Sequence, residues 1–231
     1  MVIQKLEPSQ HKEGRWLVWL EDGSVVRVGE GDVVSLGLYA GRELSDAEGE
    51  ALAAAETRAR LMEKAVSLLA LRPLSRRELL DRLCAPPRPK KGKYPYDKPD
   101  GAPGRPVPQS GRETLLAQAE GVADRLTELG LLNDAEYART VARHYAGKGY
   151  GPRKLRDELY RRGVPREHWE DALSEAETDE LQIDRLARQK LREAEPTREN
   201  LKKVSDYLAR RGYGWEEISS ALERIREEYE S

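Results

Sequence analysis

The sequence contains an internal repeat. Residues 151–164 read GPRKLRDELYRRGV, and residues 200–213 read NLKKVSDYLARRGY. Leu159 matches Leu208, and the triplet Arg-Arg-Gly occurs in both segments at the same offset of 49 residues. A repeat of this length, composed of helix-forming residues, predicts stacked helical units. Arrays of this kind present an extended surface to another macromolecule, so the repeat favours binding over small-molecule catalysis.

Helix boundary signals around the repeat predict three tandem three-helix units. Gly130, Gly163 and Gly212 each follow a helix-forming run and are good C-caps, and Asn133 is a good N-cap. The chain is therefore predicted to be mainly α-helical, with the repeats in an elongated arrangement. The predicted bounds of the three repeats are residues 58–132, 133–177 and 178–231.

Four large apolar residues are predicted to lie in the cores of the second and third repeats. Leu159 and Leu208 are in register within the repeated segments, and Trp169 and Trp215 each follow an Arg-Arg-Gly triplet by a few residues. We therefore expect the two leucines to be equivalent and buried, and the two tryptophans likewise.

The first repeat fits the same scheme once an insertion is removed. Leu79 and Leu83 match Leu155 and Leu159 at an offset of 76 residues, and the excess over the repeat length is close to the proline-rich segment 85–111. Proline and glycine at this density predict a segment without a packed element, and a tolerated surface loop is the favoured interpretation. A second tether for a polyanion is the alternative. The residues that would serve it are Lys90, Lys91, Lys93, Tyr94 and Tyr96.

The N-terminal region, residues 1–57, is predicted to be a small β-hairpin followed by helices. Aromatic and β-branched residues flank the turn sequence Glu-Asp-Gly-Ser, which predicts strands at about 15–20 and 24–28. A short helix is expected within 32–40, and the capping-box spacing that begins at Ser45 predicts the start of a long helix.

The composition limits which partners and which cellular location can be expected. Charged residues make up 35% of the chain, and the net charge of −2 hides an acidic N-terminal region and a basic segment at 135–170. A basic patch is the electrostatic footprint of a polyanionic partner. With Cys84 alone we expect no intrachain disulfide, and the sequence has no N-terminal apolar stretch of signal-peptide length and no run of membrane-spanning length. We expect a cytoplasmic monomer with no membrane partner.

The sequence contains no recognisable set of catalytic or metal-binding residues. His11, His144 and His168 are scattered without metal-ligand spacing, and Cys84 has no histidine near it in sequence. There is also no glycine-rich phosphate-binding loop with Lys-Ser or Lys-Thr. We therefore expect no enzymatic activity, no cofactor and no metal.

One ordered set of motifs resembles a known family. The run GLLNDAEYAR begins at Gly130, GYG follows at residues 149–151, KLRDEL stands at 154–159 and LSRREL at 74–79. This set resembles the RecX regulatory proteins over about residues 60–228. The departure from the family pattern is the insertion at 85–111, which stands where a short turn is expected.

The resemblance implies a non-enzymatic modulator of the RecA recombinase. RecX proteins are tandem three-helix repeats that lie along the groove of the filament formed by RecA on single-stranded DNA, and they limit its growth or activity. The expected role is thus in DNA repair by homologous recombination and in the SOS response. The expected partners are the RecA filament and single-stranded DNA, with duplex DNA bound more weakly.

Basic residues of the second repeat are the candidate contacts to the filament or to DNA. Arginine pairs with phosphate or carboxylate in a bidentate way, although any one of these residues taken alone is more often a solvated cation on a helix. Tyr150 is a candidate for base stacking and equally for core packing. The central set is Arg139, Arg143, Lys148, Tyr150, Arg153, Lys154, Arg156, Arg161, Arg162 and Arg166, and a weaker copy is Lys202, Lys203, Arg210 and Arg211.

Two other classes of function stay open from the sequence. Three-helix units are similar to helix-turn-helix domains, so the chain could be a stand-alone DNA-binding module whose duplex affinity falls steeply with salt. It could also be a protein-only interaction scaffold in which charge serves solubility. The scaffold hypothesis predicts that charge reversal at Arg153 and Arg156 leaves its activity unchanged.

Overall fold

The computed structural model describes residues 1–86, 109–176, 180–192 and 194–230. The chain forms two compact units, one of Met1–Arg72 with Leu79–Leu131 and the other of Pro73–Glu78 with Leu132–Ser231. Most of the predicted insertion at 85–111, including its lysines and tyrosines, lies outside the described residues.

A three-stranded antiparallel sheet opens the first unit. Its strands are β1 (Ile3–Pro8), β2 (Arg15–Leu20) and β3 (Val25–Gly29), in the order β1-β2-β3. The predicted hairpin is confirmed as β2 and β3. Strand β1 was not predicted, because its alternation of apolar and polar residues is interrupted where the register shifts between Ile3 and Lys5.

Two helices follow the sheet. Helix α1 (Glu30–Ser35) begins and ends earlier than expected, because Gly37 follows it with a φ of +58° that terminates the helix. Helix α2 (Asp46–Leu71) begins with the predicted capping box, in which Ser45 accepts a hydrogen bond from the Glu48 amide. The buried side of α2 joins the core that also contains the inner face of the sheet.

Helices α3 (Arg76–Cys84) and α4 (Gln109–Glu128) complete the first repeat. Lys64 Nζ of α2 donates a hydrogen bond of 3.1 Å to the Leu83 carbonyl, which ties α2 to the end of α3. Ser75 caps α3 as predicted by accepting from the Glu78 amide at 3.1 Å. Helix α4 begins three residues before the predicted start at Arg112.

The second and third repeats each contain their own core. The second consists of α5 (Asp134–Gly147), α6 (Pro152–Arg161) and α7 (Trp169–Glu175), with one 3-10 turn before α7. The third consists of α8 (Glu180–Leu191), α9 (Arg198–Arg210) and α10 (Trp215–Glu230). The prediction of a mainly helical chain with a small N-terminal β region is confirmed. None of the helices in the described ranges is both long and apolar enough to cross a membrane.

The core prediction is confirmed for three residues and wrong for one. Leu159 and Leu208 are fully buried, and Trp169 is partly buried with its indole N–H donating to the Val164 carbonyl at 3.0 Å. Trp215, however, is 73% exposed at the start of α10. The repeat offset explains the error, since a shift of 49 residues brings Ile218, which is buried, into the position of Trp169.

Candidate nucleic-acid interface

Helix α6 presents the central basic residues. Pro152 occupies its first turn, where the absence of a backbone N–H costs nothing. Leu155 and Leu159 are buried against the core of the second repeat, and Arg153 and Arg156 are exposed on the other side. The helix thus separates an apolar face from a basic one, as a surface helix with period 3.6 should.

Arg153 and Arg156 have no side-chain partner among the described residues. The first turn of α6 contains no acidic residue, although the positive end of a helix dipole favours acids there. A cation in that turn costs about 0.3–1 kcal/mol, so Arg153 does not stabilise the helix that bears it. Both guanidinium groups are available to an anionic partner.

Glu158 neutralises part of the same helix. Its carboxylate is buried, with Arg161 Nη2 at 2.5 Å and Lys154 Nζ at 3.8 Å. A buried carboxylate is tolerated when it is paired, and these two cations supply the pairing together with Arg162 Nε at 3.9 Å. Lys154 and Arg161 therefore contribute less free positive charge to the surface than Arg153 and Arg156.

Arg162 is turned inward at the end of α6. It donates to the Tyr137 hydroxyl at 2.9 Å and to the Tyr145 hydroxyl at 3.4 Å, and its guanidinium lies 5.8 Å from the centre of the Tyr145 ring. Burial alone would lower the pKa of Arg162, but the hydrogen bonds to the two tyrosines raise it above its ordinary value. Arg162 thus connects α6 to α5.

Arg211 has the same place in the third repeat. It donates to the carbonyls of Lys148 at 2.8 Å and Gly149 at 3.1 Å, and its guanidinium lies over the rings of Tyr150 and Tyr207. Tyr150 is partly buried against the core of the second repeat and 5.8 Å from Tyr145, ring centre to ring centre. Its position is thus that of a packing residue beneath Arg211.

The basic residues of α5 and its C-cap form local contacts. Arg139 pairs with Glu136 at 3.4 Å and with Glu175 at 2.9 Å, and Arg143 pairs with Glu136 at 2.9 Å. The ammonium of Lys148 lies 5.5 Å from the Tyr145 ring centre. The remaining member of the central set, Arg166, lies over Trp169 at 5.7 Å. Each of these cations has a partner within the second repeat.

The weaker copy on α9 also contains both paired and unpaired cations. Lys203 pairs with Glu199 at 2.8 Å. Lys202 and Arg210 are exposed, and neither has a side-chain partner in the part of the chain that the structure describes. The repeat offset makes Lys202 the equivalent of Arg153, so two successive repeats present an unpaired cation at the same helical position.

The second helices of successive repeats meet at two joints of similar construction. At one joint the Gly151 amide donates to the Arg211 carbonyl at 2.9 Å, and the Arg153 amide donates to the Gly212 carbonyl at 3.0 Å. At the other, the Ser75 hydroxyl donates to the Arg162 carbonyl at 2.5 Å. In both joints the start of one helix rests on the C-cap of its equivalent in the next repeat.

Glycine is required immediately after both C-caps. Gly163 and Gly212 have φ values of +68° and +91°, so each ends its helix in the predicted left-handed conformation, one residue after the C-cap residues Arg162 and Arg211. A Cβ on Gly212 would lie 2.5 Å from the Lys154 backbone nitrogen, and a Cβ on Gly163 would overlap the stem of Arg77. The Arg-Arg-Gly triplet therefore supplies an exposed cation, an inward-turned arginine and a glycine that lets the next helix approach.

Arg77 is a basic residue that the sequence analysis missed. It is exposed at the start of α3, and its aliphatic stem lies against Gly163. The offset of 76 residues that aligns Leu79 with Leu155 also aligns Arg77 with Arg153. That alignment could have revealed it. With Arg153 and Lys202, each second helix bears one exposed cation at an equivalent position.

The comparisons with known proteins agree with this architecture. Family models described as the second and third three-helix domains of RecX match residues 133–173 and 179–222, so the chain is a tandem three-helix-domain protein. It is 32% identical to the regulatory protein RecX of Escherichia fergusonii over 162 residues, which is 69% of this chain and 88% of that protein. The chain belongs to the RecX family of regulatory proteins.

A second relative matches a shorter segment more closely. The chain is 43% identical to the regulatory protein RecX of Pseudomonas putida over 75 residues, which is 32% of this chain. The match spans about half of that relative, 51% of its length. This similarity is thus confined to part of each chain.

Solved structures show the same fold. A crystal structure of a regulatory protein RecX superposes with a TM-score of 0.70 at 22% identity and covers 98% of both chains. The crystal structure of RecX from Lactobacillus salivarius gives a TM-score of 0.57 at 17% identity and covers 74% of this chain and 98% of that one.

Proposed function

We propose that this RecX-family protein regulates the RecA recombinase by binding the filament that RecA forms on single-stranded DNA. Its main effect is inhibition of recombinase and ATPase activity. The protein acts as a binding partner and catalyses no reaction itself, so the ATP consumed is hydrolysed by the recombinase. This assignment places it in homologous recombination, DNA repair and the SOS response, within the cytoplasm.

The observation that carries the proposal is the pair of unpaired arginines on α6. Arg153 and Arg156 are exposed and lack a side-chain partner among the described residues. In contrast, Arg162 connects two helices of the second repeat, and Arg211 connects the third repeat to the second. An unpaired guanidinium binds phosphate or carboxylate in a bidentate way without first losing an internal ion pair.

Each second helix bears an exposed cation at an equivalent position, and this repetition is suited to a periodic partner. Arg77, Arg153 and Lys202 occupy equivalent positions in the repeat register of the three second helices. A helical-repeat surface binds extended partners through equivalent contacts in each repeat. A protein filament on DNA repeats both its acidic groups and its phosphates, so each repeat of this chain meets a similar environment. Binding across neighbouring recombinase subunits restricts their conformational freedom and so their ATP turnover.

The proposal is tested by titrating this protein into the ATPase reaction of the cognate RecA on single-stranded DNA at moderate salt. We expect a dose-dependent fall in ATP hydrolysis, with shorter filaments in electron micrographs of the same samples. No change in either measurement, with tight duplex binding in the same buffer, would favour the stand-alone DNA-binding module. Inhibition that survives charge reversal at Arg153 and Arg156 would favour a protein-only scaffold.

A further inference from the structure

An exposed tyrosine completes the basic face of α6. Tyr160 is 66% exposed, and its side chain makes no hydrogen bond or ring contact with the described residues. It follows Arg156 by four residues and Arg153 by seven, so the three side chains lie on one side of the helix. The core does not use Tyr160, because Leu155 and Leu159 already fill the buried side of α6.

An aromatic ring beside unpaired arginines is the arrangement that binds single-stranded nucleic acid. Cations follow the phosphate backbone, and an exposed ring stacks on a base that has left the duplex stack. With a rise of 1.5 Å per residue, Arg153 and Tyr160 are about 10 Å apart along the helix axis. That length corresponds to about three nucleotides at 3.4 Å each.

A purely protein partner fits this face less well. An acidic protein surface would pair with Arg153 and Arg156 through its carboxylates, whereas the exposed ring of Tyr160 matches a planar base. Asp157 also lies on the same side of α6, is exposed and forms no ion pair among the described residues. One carboxylate lowers the affinity for phosphate but does not obstruct stacking on a ring one turn away.

We propose that Tyr160 stacks on an unpaired base of single-stranded DNA while Arg153 and Arg156 hold the adjoining phosphates. This inference rests on the proposed function, because it names the ligand of the same face. It also assigns a preference for single-stranded over duplex DNA to one residue, since the bases of a duplex are stacked on one another and do not reach Tyr160.

The test measures binding of the full chain to oligothymidylate, to an abasic oligonucleotide of equal length and to a duplex. Tyr160→Ala is expected to weaken oligothymidylate binding about 10-fold and to leave abasic and duplex binding unchanged. Tyr160→Phe is expected to bind oligothymidylate like the original chain, because it keeps the ring. Arg156→Ala is expected to weaken binding to all three, and Asp157→Asn to strengthen it.

Each other outcome overturns the inference. Equal loss for the oligothymidylate and the abasic strand would show that Tyr160 does not read bases, and no loss for either would show that it is not a contact. Failure of the chain to bind free strands, together with inhibition of the recombinase ATPase that the Arg153→Glu and Arg156→Glu double variant abolishes, would show that the α6 face binds protein. In that case the proposed function stands and only the stacking inference fails. Circular dichroism of each variant confirms folding.

Discussion

The backbone N–H of Arg153 donates a hydrogen bond of 3.0 Å to the carbonyl of Gly212. The residue that presents an unpaired cation on α6 is therefore fixed at its backbone to the end of α9. Its side chain extends from a joint between two repeats and not from a free helix end. Because the joint defines where Arg153 stands, perturbing the joint should affect both stability and binding.

Substitution Gly212→Ala is the sharpest test of this joint. A Cβ at this position would lie 2.5 Å from the Lys154 nitrogen, and the φ of +91° is strained for any side chain. We expect the free energy of unfolding to fall by at least about 2 kcal/mol, from backbone strain and steric overlap together. Urea denaturation followed by circular dichroism measures the change.

The matched control is Gly121→Ala. Gly121 lies inside α4, and a Cβ there would meet nothing within 4 Å. Alanine is the better helix former, so this variant should gain about 0.5–1 kcal/mol. A Gly212→Ala protein as stable as the original would contradict the described geometry of the joint.

Arg162 should contribute to stability more than to binding. Arg162→Ala removes hydrogen bonds from a charged donor to Tyr137 and Tyr145, and we expect a loss of about 2 kcal/mol in the free energy of unfolding. Arg156→Ala is the control, since an exposed side chain without a partner should change stability by less than about 0.5 kcal/mol. Thermal unfolding of both variants under one set of conditions makes the comparison, and equal values would contradict the inward role of Arg162.

The buried hydroxyl of Tyr213 should make the protein less stable at alkaline pH. Burial, with a smaller effect from Glu217, raises the pKa of its hydroxyl from 10.0 to about 12. Between these values the unfolded chain releases the proton and the folded chain keeps it, so stability falls as pH rises through this window. The hydroxyl is buried without a hydrogen-bond partner among the described residues.

Tyr213→Phe should therefore raise stability by about 1 kcal/mol at neutral pH, since it removes an unsatisfied buried hydroxyl. It should also remove part of the alkaline loss. Urea denaturation at pH values on both sides of the window measures both effects. A variant that loses stability at neutral pH would indicate that the hydroxyl has a favourable interaction.

The local part of the fold was predictable from the sequence. The repeat located Leu159 and Leu208 in the core and Gly163 and Gly212 at C-caps, because helix periodicity and left-handed caps depend on neighbouring residues. Strand β1 was not predictable, because a register shift between Ile3 and Lys5 interrupts its alternation of apolar and polar residues. Trp215 is exposed because the register of the repeat, and not residue type, determines that Ile218 is the buried residue.

The site was only partly predictable, for a physical reason. Sequence identifies a cluster of cations but not which of them have internal partners. Arg161 and Arg162 are adjacent and both lie near Glu158, yet Arg161 is exposed and Arg162 is turned inward to donate to two tyrosines. Burial and pairing depend on helices packing together, so only the structure separates Arg153 and Arg156 from the rest of the basic set.

The central claim is that the α6 face of this RecX-family protein inhibits the recombinase filament. The most direct measurement is RecA ATP hydrolysis on single-stranded DNA with the double variant Arg153→Glu and Arg156→Glu. Its control is Arg27→Glu with Arg226→Glu, which reverses two other exposed and unpaired arginines of the described residues and changes the net charge equally. We predict that the α6 variant loses inhibition while the control keeps it. Full inhibition by the α6 variant would contradict the assignment of this face.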